Sequence, residues 1–227
     1  MEKEKVKKDD FVEIEYTAKV DGIVFDTTNE AAAKANNIFD ENASYKPVII
    51  CVGQANVIKG IDEGIIGKEV EKTYNLHINP EDGFGKKNPK MLQLISTSKF
   101  LKEEIRPMPG LQVNVDGIFG VVKAVSGGRT IVDFNHPLAG KELDYEVNVK
   151  RIVIDTKEKL EAIVRLRLGL KEFSADIVDG NAEIIVKEEI NEKIRSLFEE
   201  EVKKLVPEIK KLDFKQEEKK DKEKTKV

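Results

Sequence analysis

Apolar and polar residues alternate along the first part of the chain with the two-residue period of a half-buried β-strand. An Asp21-Gly22 pair interrupts the alternation, and such a pair between two alternating runs is a strong signal for a β-hairpin. The alternating apolar positions are Val12, Ile14, Tyr16, Ala18, Val20, Ile23 and Phe25. The sequence therefore predicts a hairpin over residues 9–26.

Short predicted helices and strands follow this hairpin. Residues 29–37 and 55–67 have the composition of short helices, whereas residues 45–53 and 68–78 are predicted to be strands. The stretch NPEDGFGKKNP, residues 79–89, is rich in Gly, Pro, Asn and Asp and predicts consecutive turns.

Residues 88–133 follow a pattern of their own. Ser98 is expected to cap a short helix, which the sequence RPMPG would end. Three predicted strands, LQVNV, IFGVVKAV and RTIVDF, are joined by Asp116-Gly117 and by Ser126-Gly127-Gly128. Consecutive local hairpins of this length indicate a separate module, after which residues 142–154 resume the alternation of the first segment.

The apolar period changes from 2 to 3.6 residues at Asp155, which begins a capping box and an amphipathic helix. A hairpin around Asp179-Gly180, a second amphipathic helix and a short strand follow. Residues 155–214 are therefore predicted to form a domain with the order α-β-β-α-β. Residues 215–227 are charged and without an apolar period, which predicts a disordered tail.

The composition narrows the class of protein. The chain has 227 residues, with 39 Lys and Arg against 43 Asp and Glu, so no field of one sign favours nucleic acid or a membrane as a partner. The single cysteine, Cys51, excludes an internal disulfide and fits a reducing compartment. The charged N-terminus lacks the apolar segment of a secretory signal, and no apolar run approaches the ~20 residues that span a bilayer. We therefore expect a cytoplasmic protein.

Residues for hydrolytic, redox or phosphoryl-transfer chemistry are scarce. Neither of the two histidines, His77 and His136, has a partner at metal-ligand spacing, so we expect no metal and no cofactor. Aromatic and branched residues do recur near the predicted turns, namely Tyr16, Phe25, Val57, Ile58, Ile61, Phe84 and Tyr145. By pattern alone, this set fits an ordinary core as well as a binding site.

Three motifs carry a resemblance to a known family. DGIVFD, VGQANVIKGIDEGIIGKEV and NPEDGFG, in this order, resemble the FKBP-type peptidyl-prolyl isomerases over roughly residues 9–86 and 134–154. The interruption between them, with NHPLAGKEL after it, is similar to the insert-in-flap module of SlyD-like and long archaeal members. The addition from Asp155 to Val227 resembles the long archaeal type.

The resemblance implies an α+β fold class. Its main part would be an FKBP-like antiparallel half-barrel sheet around a short helix, with an inserted small β-rich domain and the C-terminal α-β-β-α-β domain. The expected boundaries are 1–87 with 134–154 for the isomerase domain, 88–133 for the insert, 155–214 for the C-terminal domain and 215–227 for the tail.

The resemblance also implies an activity and a site. The expected reaction is cis–trans isomerisation of X–Pro bonds in unfolded or nascent polypeptides. Asp26, Tyr16 and the backbone N–H of Ile58 fall on catalytic positions. The substrate-binding positions are Phe25, Val57, Ile61, Phe84 and Tyr145. Asp26 is expected to be a buried carboxylate that orients Tyr16, although an Asp at a strand end is more commonly a solvated residue.

Two other functions remain open at this point. The chain is either an isomerase with chaperone activity from its insert or mainly a holdase-type chaperone, with a client-binding surface of Met91, Leu92, Leu94, Phe100 and Met108. A third interpretation makes residues 155–214 a dimerisation domain, because its helices carry continuous apolar faces. Burial of these faces within one chain explains them equally well.

Overall fold

A computed structural model describes residues 4–217. Within this range the strands are β1 Phe11–Val20, β2 Ile23–Thr27, β3 Val48–Cys51, β4 Lys72–Ile78, β5 Leu92–Ser96, β6 Gln112–Val115, β7 Ile118–Ser126, β8 Arg129–Asp133, β9 Leu143–Ile152, β10 Phe173–Val178, β11 Asn181–Val186 and β12 Lys211–Gln216. The helices are α1 Glu30–Ala35, α2 Lys59–Gly64, α3 Thr97–Lys102, α4 Thr156–Ile163 and α5 Glu192–Leu205. A π-helical turn, Val164–Leu168, continues α4.

The largest sheet has the order β2-β1-β9-β4, and β3 pairs antiparallel with the first half of β1. The β1–β2 hairpin turns at Asp21 and Gly22, whose φ angles of 51° and 79° are those of a type I′ turn. Mixed elements with antiparallel sheets and few helices confirm the α+β fold class expected from the sequence.

Contacts divide the chain into two units. Of the described residues, the first contains 4–18, Val24–Leu76 and 145–217. The second contains Lys19–Ile23 and His77–Asp144. The long C-terminal region therefore belongs to the same unit as most of the main sheet.

The second unit has its own antiparallel sheet, in the order β5-β8-β7-β6. Its apolar core consists of Phe100, Val113, Val122, Val132 and Phe134. Gly120 faces this core, where an added Cβ would lie 2.7 Å from atoms of Phe134 and Val132, so only glycine fits there.

Two features of this unit differ from the expectation. Strand β5 was not predicted, because its partner β8 lies far along the chain and the alternation of its own short sequence breaks at Ile95. Helix α3 begins at Thr97 after Ser96, so Ser98 lies inside the helix and does not cap it. The hydroxyls of Ser96 and Ser98 instead hydrogen-bond to each other at 2.8 Å.

The C-terminal region has the predicted order α-β-β-α-β. The Asp155 side chain accepts a hydrogen bond from the Glu158 N–H at 2.8 Å, as the capping box predicts. Strand β12 pairs parallel to β11 and antiparallel β10 lies on the other side. Lys215 and Gln216, expected in the tail, pair with Ile185 and Val186 because the strand continues to the end of its partner. Residues 218–227 of the predicted tail lie outside the described residues.

Apolar side chains from both helices of this region are buried within the same chain. One core contains residues of this region together with three residues of the main sheet and its extension. The members from this region include Leu160, Val164, Ile184, Phe198 and Val202. The three from the main sheet and its extension are Phe11, Cys51 and Val153. Strand β1 has two adjacent buried residues, Phe11 and Val12, and β3 has two more, Ile50 and Cys51. Because neighbouring side chains of a strand point to opposite faces, β1 and β3 are covered on both sides.

Residues 4–217 contain neither a candidate membrane-spanning helix nor a candidate metal cluster. None of the helices in this range is long and apolar enough to cross a membrane. In the same range, no group of three or more His, Cys, Asp and Glu residues is arranged to hold a metal ion.

Candidate active site

Two aromatic side chains of the main sheet, Tyr16 and Phe25, contact the ring of a third, Tyr145. The ring of Tyr16, on β1, lies 5.8 Å from that of Tyr145 on the adjacent strand β9. The ring of Phe25, on β2, meets Tyr145 edge-on at 6.1 Å. Tyr145 is 5% exposed, so the sheet provides a largely buried aromatic surface.

A hydrogen bond links this aromatic surface to Asp26. The Tyr16 hydroxyl donates to Asp26 Oδ2 at 2.9 Å. Asp26 itself is exposed, which corrects the expectation of a buried carboxylate: it lies on β2, which has a neighbour in the sheet on one side only. Its contact with Tyr16 is nevertheless the expected one.

Both phenols remain protonated near neutral pH. Burial, followed by the charge and hydrogen bond of Asp26, raises the pKa of Tyr16 well above its usual range. Burial also raises the pKa of Tyr145 to about 12. The Tyr16 hydroxyl is therefore a stable hydrogen-bond donor to Asp26.

The start of α2 presents a backbone donor beside apolar side chains. Val57 and Ile58 are half-buried and Ile61 is 2% exposed. The Ile58 carbonyl accepts from the N–H groups of Ile61 and Asp62, at 3.0 and 3.1 Å. Within residues 4–217 the Ile58 N–H makes no hydrogen bond, which leaves it available to a ligand.

Asp62 and Asn56 shape the loop before α2. The buried carboxylate of Asp62 accepts from the N–H of Gly53 at 2.7 Å and from that of Ala55 at 2.9 Å. Asn56 Oδ1 accepts from the Cys51 N–H at 2.8 Å. Neither residue was singled out from the sequence. The available signal was a carboxylate on the otherwise apolar face of a short helix.

Phe84 belongs to the second unit and stacks on a histidine there. Its ring and that of His136 are nearly parallel, with centroids 4.4 Å apart. His136 Nδ1 accepts from the Leu138 N–H at 3.2 Å, which places the histidine in a tight turn. The two residues belong to different sequence motifs, NPEDGFG and NHPLAGKEL, and only the structure pairs them.

The predicted client-binding surface is in part buried. Phe100 is 5% exposed and belongs to the core of the second unit, and Met91 packs partly buried against that core, because α3 and the start of β5 close one side of it. The other three predicted residues, Leu92, Leu94 and Met108, are 46%, 57% and 59% exposed. Phe119, at 75%, is also exposed.

Comparison with known proteins identifies the family. The model of the FKBP-type peptidyl-prolyl cis-trans isomerases matches residues 2–105, and that of the "FKBP26, IF domain" matches residues 93–138. A short-type peptidyl-prolyl cis-trans isomerase of Methanocaldococcus jannaschii is 35% identical over 147 residues, which cover 65% of this chain and 94% of the relative.

Bacterial FKBP-type isomerases are also similar to this chain. The FKBP-type 16 kDa peptidyl-prolyl cis-trans isomerase of Escherichia coli K12 is 27% identical over 154 residues, 66% of this chain and 95% of the relative. The FKBP-type peptidyl-prolyl cis-trans isomerase SlyD of Haemophilus influenzae is 28% identical over 116 residues, 49% of this chain and 60% of the relative. The chain belongs to the FKBP-type peptidyl-prolyl cis-trans isomerase family and is an isomerase of X–Pro peptide bonds.

Proposed function

We propose that the aromatic surface of Tyr16, Phe25 and Tyr145 and the apolar residues around the start of α2 bind the proline of an unfolded or nascent polypeptide. In this proposal the Ile58 N–H holds a substrate carbonyl. Asp26 orients the Tyr16 hydroxyl rather than touching the reacting amide, because a carboxylate beside an amide carbonyl would be repelled. The Tyr16–Asp26 hydrogen bond beside Tyr145 is the observation that supports this proposal most directly.

The reaction requires no nucleophile. Rotation about the X–Pro bond must cross a barrier of ~18–20 kcal/mol, which resonance in the planar amide creates. The twisted amide is less dipolar than the planar one, and water stabilises the planar form more strongly. An apolar site that excludes water therefore favours the twisted state over the ground state, which is the condition for catalysis.

Substitution of Asp26 tests its orienting role. Asp26→Ala should lower kcat more than it raises KM, because the aromatic surface remains. A hydrogen bond to a charged group contributes roughly 1.5–3 kcal/mol, equivalent to a loss of about ten- to a hundred-fold. Asp176→Ala, which removes an exposed strand carboxylate paired with Lys157, is the matched control. Wild-type turnover of folded Asp26→Ala on a proline tetrapeptide would contradict the role.

We propose that the second unit binds unfolded clients through the outer face of its sheet. Leu94 pairs with Ile131 across β5 and β8, and Ile131 pairs in turn with Ala124 of β7. Leu92 lies two residues from Leu94 and therefore on the same face. Exposed apolar residues that adjoin across strands form a surface of the kind that binds other polypeptides.

A double substitution tests the client surface without removing the unit. Leu94→Ser with Ile131→Ser should leave turnover of a tetrapeptide unchanged and slow the catalysed refolding of a proline-limited protein. Lys99→Ser with Lys102→Ser, two exposed positions on α3 of the same unit, is the control pair. Equal rates on the protein substrate for wild type and Leu94→Ser/Ile131→Ser would contradict a client-binding role for this face.

Removal of the whole insert complements this test. Asn88 and Asn135 hold its two ends together: the Asn88 N–H donates to Asn135 Oδ1 at 2.8 Å, and Asn135 Nδ2 donates to the Asn88 carbonyl at 3.2 Å. Joining these residues through Gly-Gly in place of 89–134 should reduce activity on the protein substrate far more than on the tetrapeptide. Equal fractional losses on the two substrates would contradict a client-binding role for the insert.

We also propose a cytoplasmic location and self-association of the chain. A cytoplasmic location is supported by the single, buried and unpaired cysteine. Homodimerisation through residues 155–214 is supported by Ile194 and Leu197, which α5 leaves 49% and 60% exposed. Light scattering of the full chain and of Ile194→Ser/Leu197→Ser would test it: a monomeric wild type, or an unchanged dimer in the variant, contradicts an interface at this helix.

A further inference from the structure

An arginine of the C-terminal region reaches the loop that precedes α2. Arg167, in the π-helical turn after α4, donates from Nη2 to the backbone carbonyl of Gln54 at 3.0 Å. Its Nε donates to Glu201 Oε1 of α5 at 2.7 Å. The guanidinium thus bridges the second helix of the C-terminal region and the loop that leads to Ile58.

This loop has a backbone conformation that needs support. Gly53 and Ala55 on either side of Gln54 have positive φ angles of 81° and 53°. The left-handed region is unfavourable for alanine. Asp62 holds the N–H groups of the two flanking residues, and Arg167 holds the carbonyl between them. The loop is therefore fixed from α2 on one side and from the C-terminal region on the other.

The support for Arg167 is itself rigid. Val164 and Leu168, on the same turn, pack in the core that the C-terminal region shares with Cys51. Cys51 ends β3, the strand that leads into the loop. The position of Arg167 relative to the loop is therefore set by a packed core and not by a flexible side chain alone.

We propose that Arg167 is a positioning residue of the isomerase, through which the C-terminal region completes the substrate-binding loop. The inference rests on the proposed role of the Ile58 N–H as the anchor for a substrate carbonyl. Arg167 acts on that N–H through the backbone of residues 54–58 and does not touch the substrate.

Loss of the Arg167 contact should change KM and not kcat. The substrate carbonyl held by Ile58 is bound before and during the rotation, so a displaced N–H weakens the ground state and the transition state alike. Loss of such uniform binding raises KM and leaves kcat unchanged. A purely structural contribution of Arg167 would lower the unfolding temperature without this selective effect on KM.

The test compares two arginines of the same turn in the full chain. Arg167→Ala should raise KM for a proline tetrapeptide by roughly two- to ten-fold, as expected for the loss of one hydrogen bond. Arg165→Ala is the control, because Arg165 instead pairs with Glu161 and lies over the ring of Phe173. Equal KM values for Arg167→Ala and Arg165→Ala would overturn the proposal.

Two further variants test whether the effect of Arg167→Ala is only a folding defect and whether α5 holds the guanidinium in place. Arg167→Lys retains a cation and should give a smaller rise in KM than Arg167→Ala. Glu201→Ala frees the guanidinium and should raise KM in the same direction, with an effect that does not add to that of Arg167→Ala. Additive effects of the two substitutions would overturn the bridging arrangement.

An amide chemical-shift titration separates this inference from the assignment of the site. If the tetrapeptide leaves the Ile58 amide resonance of the wild type unchanged, the proposed anchor is wrong and the inference falls with it. If that resonance shifts in the wild type and the peptide binds Arg167→Ala with the same affinity, the anchor stands and the role of Arg167 is wrong.

Discussion

The carboxylate of Asp62 is 5% exposed and lies on the inner side of α2, where it accepts two backbone N–H groups of the preceding loop. A buried charge is costly unless hydrogen bonds replace its hydration. Here the two donors come from residues whose backbone would otherwise be unpaired. The side chain therefore stabilises the loop conformation that presents Ile58.

Substitution of Asp62 should reduce both stability and substrate binding. Each hydrogen bond to a charged group contributes about 1.5–3 kcal/mol, so Asp62→Ala should lower the free energy of unfolding by about 3–6 kcal/mol. Asp62→Asn keeps one acceptor and should lose roughly half as much. Urea unfolding measures both values. A loss below about 1 kcal/mol for Asp62→Ala would show that water replaces the carboxylate.

Two substitutions of His136 separate its two contacts. His136→Phe keeps the stack on Phe84 but loses the acceptor for the Leu138 N–H, whereas His136→Asn keeps an acceptor and loses the stack. An aromatic pair contributes about 0.5–1.5 kcal/mol beyond buried area. Since the family resemblance gives Phe84 a substrate-binding position, His136→Asn should raise KM by about two- to ten-fold and His136→Phe should not. The reverse order in a tetrapeptide assay would contradict this.

Sequence motifs identified residues that approach one another through adjacent strands. Tyr16, Phe25, Asp26 and Tyr145 were all named in advance, and the structure brings them into contact. Asp62 and Arg167 were missed because their partners are backbone groups, which no side-chain pattern marks. The exposure of Asp26 was also missed, since alternation predicts the face of a strand but not whether that strand lies at the edge of the sheet.

At the scale of elements, turn chemistry was the most informative signal. The pairs Asp21-Gly22, Asp116-Gly117 and Asp179-Gly180 all have positive φ at both residues, as type I′ hairpin turns require. Strand β5 has no such local signal. It pairs with β8, more than 30 residues later, and only the completed sheet shows that its residues form an edge.

Strands β4 and β9 carry a pH-sensitive contact. The Nδ1 of His77 on β4 lies 2.8 Å from Asp144 on β9, and Glu142 is 3.5 Å from Nε2. The hydrogen bond with Asp144 raises the pKa of His77 above its ordinary value of 6.5, and Glu142 adds to this. The stabilisation is therefore complete below pH 6.5 and is lost as the pH rises through the higher value in the folded protein.

Comparison with His77→Gln tests the pH dependence. The difference in unfolding temperature between wild type and His77→Gln should be positive near pH 5.5 and should decrease as the pH rises above 6.5 through the raised pKa of His77. The difference should be small and fall in 0.5 M NaCl, because the pair is exposed and screened by salt. A difference that stays constant across this pH range would show that the stabilising contact does not involve the charged imidazole.

At the scale of the whole chain, the α-β-β-α-β order of the C-terminal region followed from its apolar periods, but the surface that it covers did not. Phe11 alternates out of phase with Val12, Ile14 and Ala18, and a single-faced strand would expose it. Its burial at 2% requires elements more than 140 residues away. No local pattern contains that information.

Truncation at residue 154 should therefore destabilise the remaining isomerase. It exposes Phe11, Cys51 and Val153, and burial of a large apolar side chain contributes about 1.5–3 kcal/mol. Against a total stability of about 5–15 kcal/mol, the truncated chain should be marginal and prone to aggregate. Thermal unfolding and light scattering of residues 1–154 measure both properties.

A reciprocal substitution controls for the loss of other contacts. Phe11→Thr should lower the stability of the full chain by about 3 kcal/mol or more, because it leaves a cavity in the shared core. In the truncated chain it should reduce aggregation, since it replaces an exposed ring with a polar strand former. If Phe11→Thr affects both forms alike, the C-terminal region does not cover this face.

The core shared by β1 and the C-terminal region also determines the order in which parts of the chain can fold during synthesis. Phe11 and Leu212 pack in the same core but are about 200 residues apart, so at about 5–20 residues per second the ribosome makes them some 10–40 s apart. The hairpins of residues 112–133 pair locally and can form as soon as they emerge. The face of β1 that carries Phe11 stays exposed until α5 and β12 have been synthesised. A pause in translation before residue 156 leaves this face exposed to water for as long as the pause lasts.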